Sequence, residues 1–456
     1  MKKILIPALA ILLLSCTNNE SKMNQTETVT PEVEWDSMHP EWSKNATIYE
    51  LNIRQFSENG DFASILPHIP RLKEMGVKII WLMPIHPIGE LHRKGSLGSY
   101  YSVQDYTDVN PNYGTKEDFK ALVEEIHAHD MKVIIDWVAN HSAFDNPWTE
   151  NETWYNRDED GNPVTPVDDW SDVADLNYDS PEMRRAMIDA LKYWVQEYDI
   201  DGYRCDVAMM VPTDFWNQVR IELDALKPVF MLAEAEEVDH HQKAFDMSYS
   251  WDLHHLMNDA QKGDKPYTDF HEFIKEDMNK FGKNAYRMTF TTNHDENSWN
   301  GTVFERFGDN HLNYAVLAFT VPGMPLVYSG QEAGLDHRLA FFDKDLIDWN
   351  DYPLQDFYTE LLKLNVRNEA LWNGEFGGSY HPIEVVGSDK VLAYYRKNGD
   401  DLVAVIINFD ENPVDITLEV PETKYRKLFS DEIWDSNQLG SLHLEGNSHM
   451  ILEKTE

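Results

Sequence analysis

Eight short apolar runs constrain the fold of this chain more than any other feature of its sequence. They are residues 46–53, 77–83, 132–138, 200–206, 229–234, 245–249, 287–292 and 326–329. Between them lie stretches with helical periodicity, such as residues 65–75, 116–129, 181–197 and 212–226. Eight alternations of a strand with a helix predict an α/β protein whose strands close into a parallel (β/α)8 barrel, the TIM barrel.

Two regions depart from this alternation. Residues 139–175 follow the third strand and show little periodicity, and a connection of that length indicates an inserted subdomain or a functional loop. After residue 373 the pattern changes to short alternating runs separated by turns, which predicts an antiparallel β domain over residues 373–456. The barrel, with its insertion, is therefore predicted over residues 35–372.

The first residues have the pattern of an export signal. Met1-Lys2-Lys3 is basic, residues 4–14 are apolar but too few to span a bilayer, and Leu13-Leu14-Ser15-Cys16 follows. This end resembles the lipobox of bacterial lipoproteins, which implies a signal peptide over residues 1–15, acylation of Cys16 and a lipid anchor in the cell envelope, at the outer membrane or cell surface. The alternative is an ordinary cleaved signal peptide. The polar residues 16–34 are typical of a flexible tether.

The charge of the chain limits its partners. The sequence has 80 acidic and 39 basic residues among 456, a formal net charge of -41. Such a charge argues against binding to nucleic acid and against electrostatic docking on anionic lipid. It suits a neutral or cationic partner.

Charged and imidazole side chains occur where several of the apolar runs end. In residues 202–206 a strand places Arg204 and Asp206 on one face and Tyr203 and Cys205 on the other. An arginine and an aspartate on one face of an apolar strand form a structural ion pair or take part in chemistry. Similar side chains follow three other runs, at Asn140 and His141, at Glu234, and at His294 and Asp295. In a parallel barrel all of these ends lie at one mouth.

Six segments in a fixed order carry a family resemblance. They are Tyr101-Ser102-Val103-Gln104-Asp105-Tyr106, Asp136-Trp137-Val138-Ala139-Asn140-His141, Asp175-Leu176-Asn177, Gly202-Tyr203-Arg204-Cys205-Asp206, Leu232-Ala233-Glu234 and Thr292-Asn293-His294-Asp295. The chain resembles the α-amylase family, glycoside hydrolase family 13, over most of its length after the signal.

The resemblance implies a retaining hydrolase of α-glucans. Cleavage of a glycosidic bond with retention requires a carboxylate nucleophile and a carboxylic acid that protonates the leaving oxygen. By resemblance, Asp206 is the nucleophile, Glu234 is the acid and then the base, and Asp295 stabilises the distorted sugar. Arg204 would keep Asp206 ionised and oriented, while burial and a second carboxylate should raise the pKa of Glu234.

The remaining implied contacts concern the sugar. His141 and His294 would bond its hydroxyls and Tyr101 would stack on its ring. Each histidine could instead be a satisfied structural residue, and Glu236 competes with Glu234 because strand alternation places both on one face. Cys205 faces away from the site and is expected to be a buried structural thiol.

The chain departs from the family pattern after the nucleophile. Many α-amylases have lysine and histidine where this chain has Met209 and Met210, and that pair contributes to substrate and calcium binding. Asn140 matches a calcium ligand of the family, but calcium requires several oxygen ligands. The resemblance therefore implies no cofactor for the chemistry and leaves a structural calcium open.

Three functional interpretations remain. The favoured one is an endo-acting α-amylase that cleaves the α-1,4-glucosidic bonds of starch-like glucans. An oligosaccharide α-glucosidase, or a neopullulanase-like or transglycosylating enzyme, is the alternative within the same class. The alternative from another class is an inactive lipoprotein that only binds glucan, against which the intact Asp206, Glu234 and Asp295 argue.

Overall fold

The computed structural model describes residues 39–455. The predicted signal peptide (residues 1–15), the predicted tether (16–34) and the predicted lipidation site Cys16 lie outside the described residues, so they stay predictions. Within residues 39–455 no helix combines the length and the apolar character that a membrane crossing requires.

Eight parallel strands close into a barrel, as the alternation predicts. The first ten strands of the described chain are β1 (Ile48–Leu51), β2 (Ile79–Leu82), β3 (Lys132–Trp137), β4 (His141–Ala143), β5 (Val173–Asp175), β6 (Gly202–Cys205), β7 (Phe230–Ala233), β8 (Met247–Tyr249), β9 (Tyr286–Thr289) and β10 (Met324–Tyr328). The barrel order is β1-β2-β3-β6-β7-β8-β9-β10, and β10 pairs with β1. The predicted TIM barrel is therefore confirmed.

Strand burial explains why this sequence forms a barrel. Nearly every strand residue is buried on both faces, as expected when helices cover a parallel sheet outside and side chains fill it inside. Glycine is required at position 202, where φ is 151° and an added Cβ would lie 1.9 Å from the backbone oxygen of Phe230. That close approach lets β6 pair with β7 in register at the base of the polar cluster.

Helices surround the barrel with one irregularity. They are α1 (Ile53–Phe56), α2 (Phe62–Ile65), α3 (Ile69–Met75), α4 (Lys116–Ala128), α5 (Pro181–Tyr198), α6 (Thr213–Asp224), α7 (Trp251–Lys262), α8 (Asp269–Phe281), α9 (Val303–Phe307), α10 (His311–Thr320) and α11 (Gln355–Arg367). The connection from β7 to β8 contains only a 3-10 turn, Val238–Gln242, so the strand–helix alternation is incomplete there. Helices α7 and α8 both follow β8.

The insertion after β3 forms a small subdomain. Its strands β4 and β5 pair antiparallel, with His141 opposite Asp175. Tyr155 lies inside the insertion, and its hydroxyl is 2.6 Å from the hydroxyl of Ser142 in β4. Because β4 starts only four residues after β3 ends, it fixes His141 at the barrel mouth.

The C-terminal region is antiparallel, as predicted. Its strands are β11 (Ser379–Pro382), β12 (Val385–Val386), β13 (Val391–Asn398), β14 (Asp401–Asn408), β15 (Val414–Leu418), β16 (Lys424–Lys427), β17 (Ile433–Asp435), β18 (Ser441–Leu444) and β19 (Ser448–Lys454). They form a six-stranded sheet and a three-stranded sheet. The amide of Asn313 on α10 donates to the backbone oxygen of Asn408, so this region packs on the barrel.

Candidate active site

One arginine organises the barrel mouth. The Nη1 of Arg204 donates to Oδ1 of Asp136 at 2.9 Å and to Oδ1 of Asp206 at 3.0 Å. Its Nη2 lies 2.8 Å from Oε2 of Glu234. The Arg204 side chain is fully buried, so a single cation contacts three carboxylates away from bulk water.

Strand register brings the two central carboxylates together. Arg204 pairs with Leu232 across β6 and β7, and Cys205 pairs with Ala233. Asp206 and Glu234 therefore follow neighbouring strands at the same level. The hydroxyl of Tyr203 donates to a backbone oxygen of α5, so the opposite face of β6 points outward to the helices. Cys205 is a free, buried thiol on that face.

The residue after Asp206 positions Glu234. Val207 has a φ of 36°, a left-handed conformation that a β-branched side chain rarely adopts. Its N–H donates to Oε2 of Glu234 at 2.8 Å, and the N–H of Ala208 donates to the backbone oxygen of Glu234 at 3.1 Å. The strained turn thus holds the carboxylate of one strand end against the backbone of the next.

The carboxylates repel one another. Burial and the nearby Glu234 raise the pKa of Asp206 well above its usual range, although Arg204 opposes this. Arg204 was expected to keep Asp206 ionised, but burial and the charge of Glu234 both raise the pKa of Asp206 by more than Arg204 lowers it.

A second network surrounds His294. Its Nδ1 lies 2.5 Å from Oε1 of Glu50, and its Nε2 lies 2.7 Å from the hydroxyl of Tyr101 and 3.2 Å from Oδ2 of Asp295. Burial lowers the pKa of His294, but Asp295 and Glu50 outweigh burial and raise it well above its usual range. The Tyr101 hydroxyl also donates to Oδ2 of Asp136 at 3.1 Å, which joins this network to that of Arg204.

His141 differs from His294 in charge. Burial lowers the pKa of His141 to about 3, so its ring is neutral. Its Nδ1 lies 3.2 Å from the amide nitrogen of Asn140, and its ring packs against Trp170 with centroids 5.4 Å apart. A neutral imidazole can both donate to and accept from a hydroxyl.

A cavity of about 460 Å³ opens above these networks. Six of the residues predicted from the sequence line it, namely Tyr101, His141, Asp206, Glu234, His294 and Asp295, while Arg204 contacts two of them from beneath. The structure also places there Lys94, Asp172, Phe341 and Phe342, which come from loops, and Trp299, which lies in the π-helical turn Glu296–Asn300. Met209 and Met210 form an exposed 3-10 turn with Ala208.

Glu236 has a different environment from Glu234. Its Oε1 lies 2.8 Å from Nη2 of Arg287, and it accepts the N–H of Asp252. Arg287 also contacts Asp277 on α8. Glu236 thus joins a separate ion-pair cluster and does not line the cavity.

Sequence reasoning missed two buried carboxylates. Glu50 lies in β1 and contacts His294, and Asp136 lies in β3 and contacts Arg204, Tyr101 and the indole N–H of Trp81. A signal for Glu50 existed, because it is a charged residue in an apolar run and shares the inner face with Ile48. Asp136 begins the segment of residues 136–141, but that segment gave no indication that the Asp136 carboxylate contacts Arg204.

The fit to a calcium ion is incomplete. Among residues 39–455 no group of three or more histidine, cysteine, aspartate or glutamate side chains could hold a metal. The amide nitrogen of Asn140 faces His141, and Asp175 accepts from Asn156. These residues do not supply the acidic oxygen set that calcium prefers.

A (β/α)8 barrel with a carboxylate pair and an arginine at its strand ends has the architecture and side chains of a glycoside hydrolase. The alpha amylase catalytic domain matches residues 22–170 and 153–375, and the alpha amylase C-terminal all-beta domain matches residues 386–451. The chain therefore belongs to the α-amylase family, glycoside hydrolase family 13.

Two solved structures and one related sequence support this family membership. A maltogenic α-amylase from Thermotoga neapolitana is 31% identical, with a TM-score of 0.82 over 91% of this chain and 100% of that one. An α-amylase from Lactobacillus plantarum is 30% identical, with the same score and coverage. The α-amylase MalA of Haloarcula japonica is 28% identical over 83% of this chain, and this match spans 57% of that protein.

Proposed function

We propose that this protein hydrolyses the α-1,4-glucosidic bonds of starch-like α-glucans with retention of configuration. The observation that carries the proposal is the contact of one buried guanidinium with both Asp206 and Glu234 at the wall of a single cavity. Retaining enzymes need two carboxyl groups on the same scissile bond. The family membership and the intact pair support an enzyme over an inactive glucan-binding protein.

The two carboxyl groups divide the chemistry. Asp206 attacks the anomeric carbon while Glu234 gives its proton to the leaving oxygen, so one C–O bond forms as the other breaks. Glu234 then removes a proton from water, the water oxygen bonds to the anomeric carbon, and Asp206 leaves as a carboxylate.

Neighbouring groups prepare these steps. Arg204 stabilises the carboxylate that Asp206 becomes when it leaves. Val207 holds Glu234 through its backbone N–H. His294, charged between Glu50 and Asp295, donates to a sugar hydroxyl and keeps Asp295 ionised. His141 provides a neutral imidazole that can bond a second sugar hydroxyl. Tyr101 offers its ring face to the sugar.

The electrostatics fit a neutral polymer. The net charge of -41 does not oppose approach of an uncharged glucan, whereas it repels an acidic polysaccharide. The same charge disfavours nucleic acid as a partner.

Two modes of attack follow from different observations. The sequence predicts endo-type cleavage, because the Trp-rich insertion could line several sugar subsites. The second candidate is release of short units from a chain end, and the contact of Lys94 with Asp172 at the cavity wall favours it. The name of the maltogenic relative points the same way. Neopullulanase-like cleavage and transglycosylation would use the same two carboxyl groups, those of Asp206 and Glu234.

Proton NMR of fresh products tests the proposal. Maltooligosaccharides released from soluble starch should appear first as α-anomers, and starch viscosity reports the mode. Asp206→Asn is the inactive control. Initial release of β-anomers would contradict retention, and absence of cleavage in the purified enzyme would favour the inactive glucan-binding protein.

We also propose that Cys16 carries a lipid that anchors the protein in the bacterial cell envelope. The residues that support it are Leu13-Leu14-Ser15-Cys16. Cys16→Ala should release the protein from the membrane fraction, while Cys205→Ala, at the other cysteine, should not. Membrane association that persists in Cys16→Ala would contradict the anchor.

A further inference from the structure

The segment that follows β2 connects two walls of the cavity. On one side, the N–H of Glu90 donates to Oδ2 of Asp145 in the inserted subdomain at 2.8 Å. On the other side, the N–H of Leu97 donates to the backbone oxygen of Phe342, in the loop after β10, at 2.9 Å. Residues 90–97, here called the bridging segment, thus join the insertion to the loop after β10.

Lys94, in the middle of the bridging segment, contacts the insertion directly. Its Nζ lies 2.9 Å from Oδ1 of Asp172 and donates to the backbone oxygen of Asp169 at 2.8 Å. Both Lys94 and Asp172 line the cavity that contains Asp206 and Glu234. The contact therefore crosses from one cavity wall to the other.

The Lys94–Asp172 pair has hydrogen-bonding capacity left. Asp172 is 4% exposed, and its Oδ2 has no hydrogen-bond partner in the part of the chain that the structure describes. A lysine ammonium has three N–H donors, and Lys94 uses one of them in its hydrogen bond to the backbone oxygen of Asp169. A buried acceptor without a partner is costly, and a ligand hydroxyl relieves that cost.

Aromatic rings lie beside Lys94 and Asp172 in the same cavity. The Trp299 ring is 51% exposed and lies 5.2 Å from Phe341 and 5.8 Å from Phe342. Phe341 is stacked on Tyr101 with centroids 6.2 Å apart. Ring faces beside a donor and an acceptor match a sugar, which has an apolar C–H face and vicinal hydroxyls.

The barrel order places this end relative to the acid. Glu234 follows β7, and β7 lies across the closed barrel from β1. The bridging segment and Phe341 follow β2 and β10, which flank β1. Because Glu234 protonates the leaving group, the opposite end receives the sugars that remain attached through Asp206.

We propose that Lys94 and Asp172 close this end of the cavity and bind the hydroxyls of the non-reducing terminal glucosyl unit. The proposal rests on the proposed function and sharpens it. The enzyme then takes a chain end and releases short units, because a longer chain cannot pass the Lys94–Asp172 contact.

Blocked substrates test this directly. 4-Nitrophenyl α-maltoheptaoside is compared with the same compound carrying a 4,6-ethylidene group on its non-reducing end. The wild-type kcat/KM should be at least about tenfold higher for the free substrate, since a hydrogen bond to a charged group contributes that much. In Asp172→Ala and Lys94→Ala the ratio should approach one, and longer products should appear from maltoheptaose.

Lys390→Ala is the matched control. Lys390 lies 3.0 Å from Asp410 in a lysine–aspartate pair whose residues do not line the cavity, so the wild-type ratio should persist. Equal cleavage of both substrates by the wild type, or an unchanged ratio in both cavity variants, would overturn the proposal.

A binding measurement tests the closed end of the cavity independently of hydrolysis. In Asp206→Asn, calorimetric titration with the two heptaosides should give at least about tenfold tighter binding of the free one. Tight but equal binding would overturn this inference whether or not the wild type is active. Discrimination in binding without hydrolysis would uphold the closed end and refute the proposed function.

Discussion

Two buried clusters of arginine and aspartate lie at opposite ends of the barrel strands and have opposite electrostatics. At the mouth, Arg204 contacts three carboxylates. At the N-terminal end of β8, Asp246 accepts from Arg220 at 2.9 Å, from His39 at 2.8 Å and from the N–H of Met231 at 2.8 Å.

The pKa shifts follow this difference. Burial raises the pKa of Asp246, but Arg220 and His39 outweigh burial and lower it overall. Burial and Glu234 raise the pKa of Asp206 despite Arg204. A carboxylate with several donors is thus a stabilising structural element, whereas carboxylates that share one cation are destabilised and available for proton transfer and nucleophilic attack.

The largest expected effect is on turnover at the mouth. Asp206→Asn should lower kcat on starch by roughly 10⁴- to 10⁶-fold, because removal of a nucleophile removes the covalent step. Reducing-sugar release measures it. Asp246→Asn, examined at a temperature where it remains folded, should retain kcat within about tenfold. A comparable loss in both would contradict the division of roles.

Glu234→Gln should lose about 10²- to 10⁴-fold on starch, the usual contribution of a general acid. Activated aryl or fluoride glycosides need less protonation and should lose much less in the first step. Glu236→Gln is the matched control, because Glu236 pairs with Arg287 away from the cavity. Starch activity that survives in Glu234→Gln and fails in Glu236→Gln would reverse the assignment.

Stability should change in opposite directions at the two ends. Asp246→Asn removes one of the two carboxylates that contact buried Arg220, the other being Asp224, and should lower the free energy of unfolding by about 1–3 kcal/mol. Asp206→Asn removes a repelled carboxylate and should raise it by about 0.5–2 kcal/mol. Urea unfolding at pH 7 measures both, and destabilisation by both variants would contradict the comparison.

The pH dependence of these differences has a defined sign. Asp246 has a lowered folded pKa, so its contribution is present above the unfolded value of about 3.9 and is lost as the pH falls. Asp206 has a raised folded pKa, so its cost grows as the pH rises above that value. The gain in Asp206→Asn should therefore shrink between pH 7 and pH 4, and a gain that grows on acidification would contradict this.

The smallest expected effect is that of chelation. Met209 and Met210 replace the family's lysine and histidine, and Asn140 faces His141. We therefore expect EDTA to lower the midpoint of thermal unfolding at most and to leave kcat unchanged while the protein is folded. Immediate loss of activity without unfolding, restored by calcium, would contradict it.

The sequence predicted what strand periodicity determines. The eight strands, and the position of Asp206 and Glu234 at one mouth of the barrel, follow from the apolar runs, while the register that brings the two to the same level is seen only in the structure. The antiparallel C-terminal region follows in the same way.

Loop geometry explains what was not predicted. Lys94, Asp172 and Trp299 belong to three connections between barrel strands that are distant in sequence, and only tertiary packing brings them to one cavity. The pKa shift of Asp206 was also missed, because it depends on burial and on the number of carboxylates around one arginine. Neither quantity has a local signal in the chain.

Trapping the glycosyl-enzyme intermediate tests most directly whether Asp206 is the nucleophile. The enzyme is incubated with 5-fluoro-α-maltosyl fluoride, whose intermediate hydrolyses slowly, and is then digested and sequenced by mass spectrometry. We expect one glycosyl ester, on the carboxylate of Asp206, and none in Asp206→Asn. A label on Glu234, Glu236 or Asp295 would contradict the claim that the carboxylate bound by Arg204 after β6 is the nucleophile.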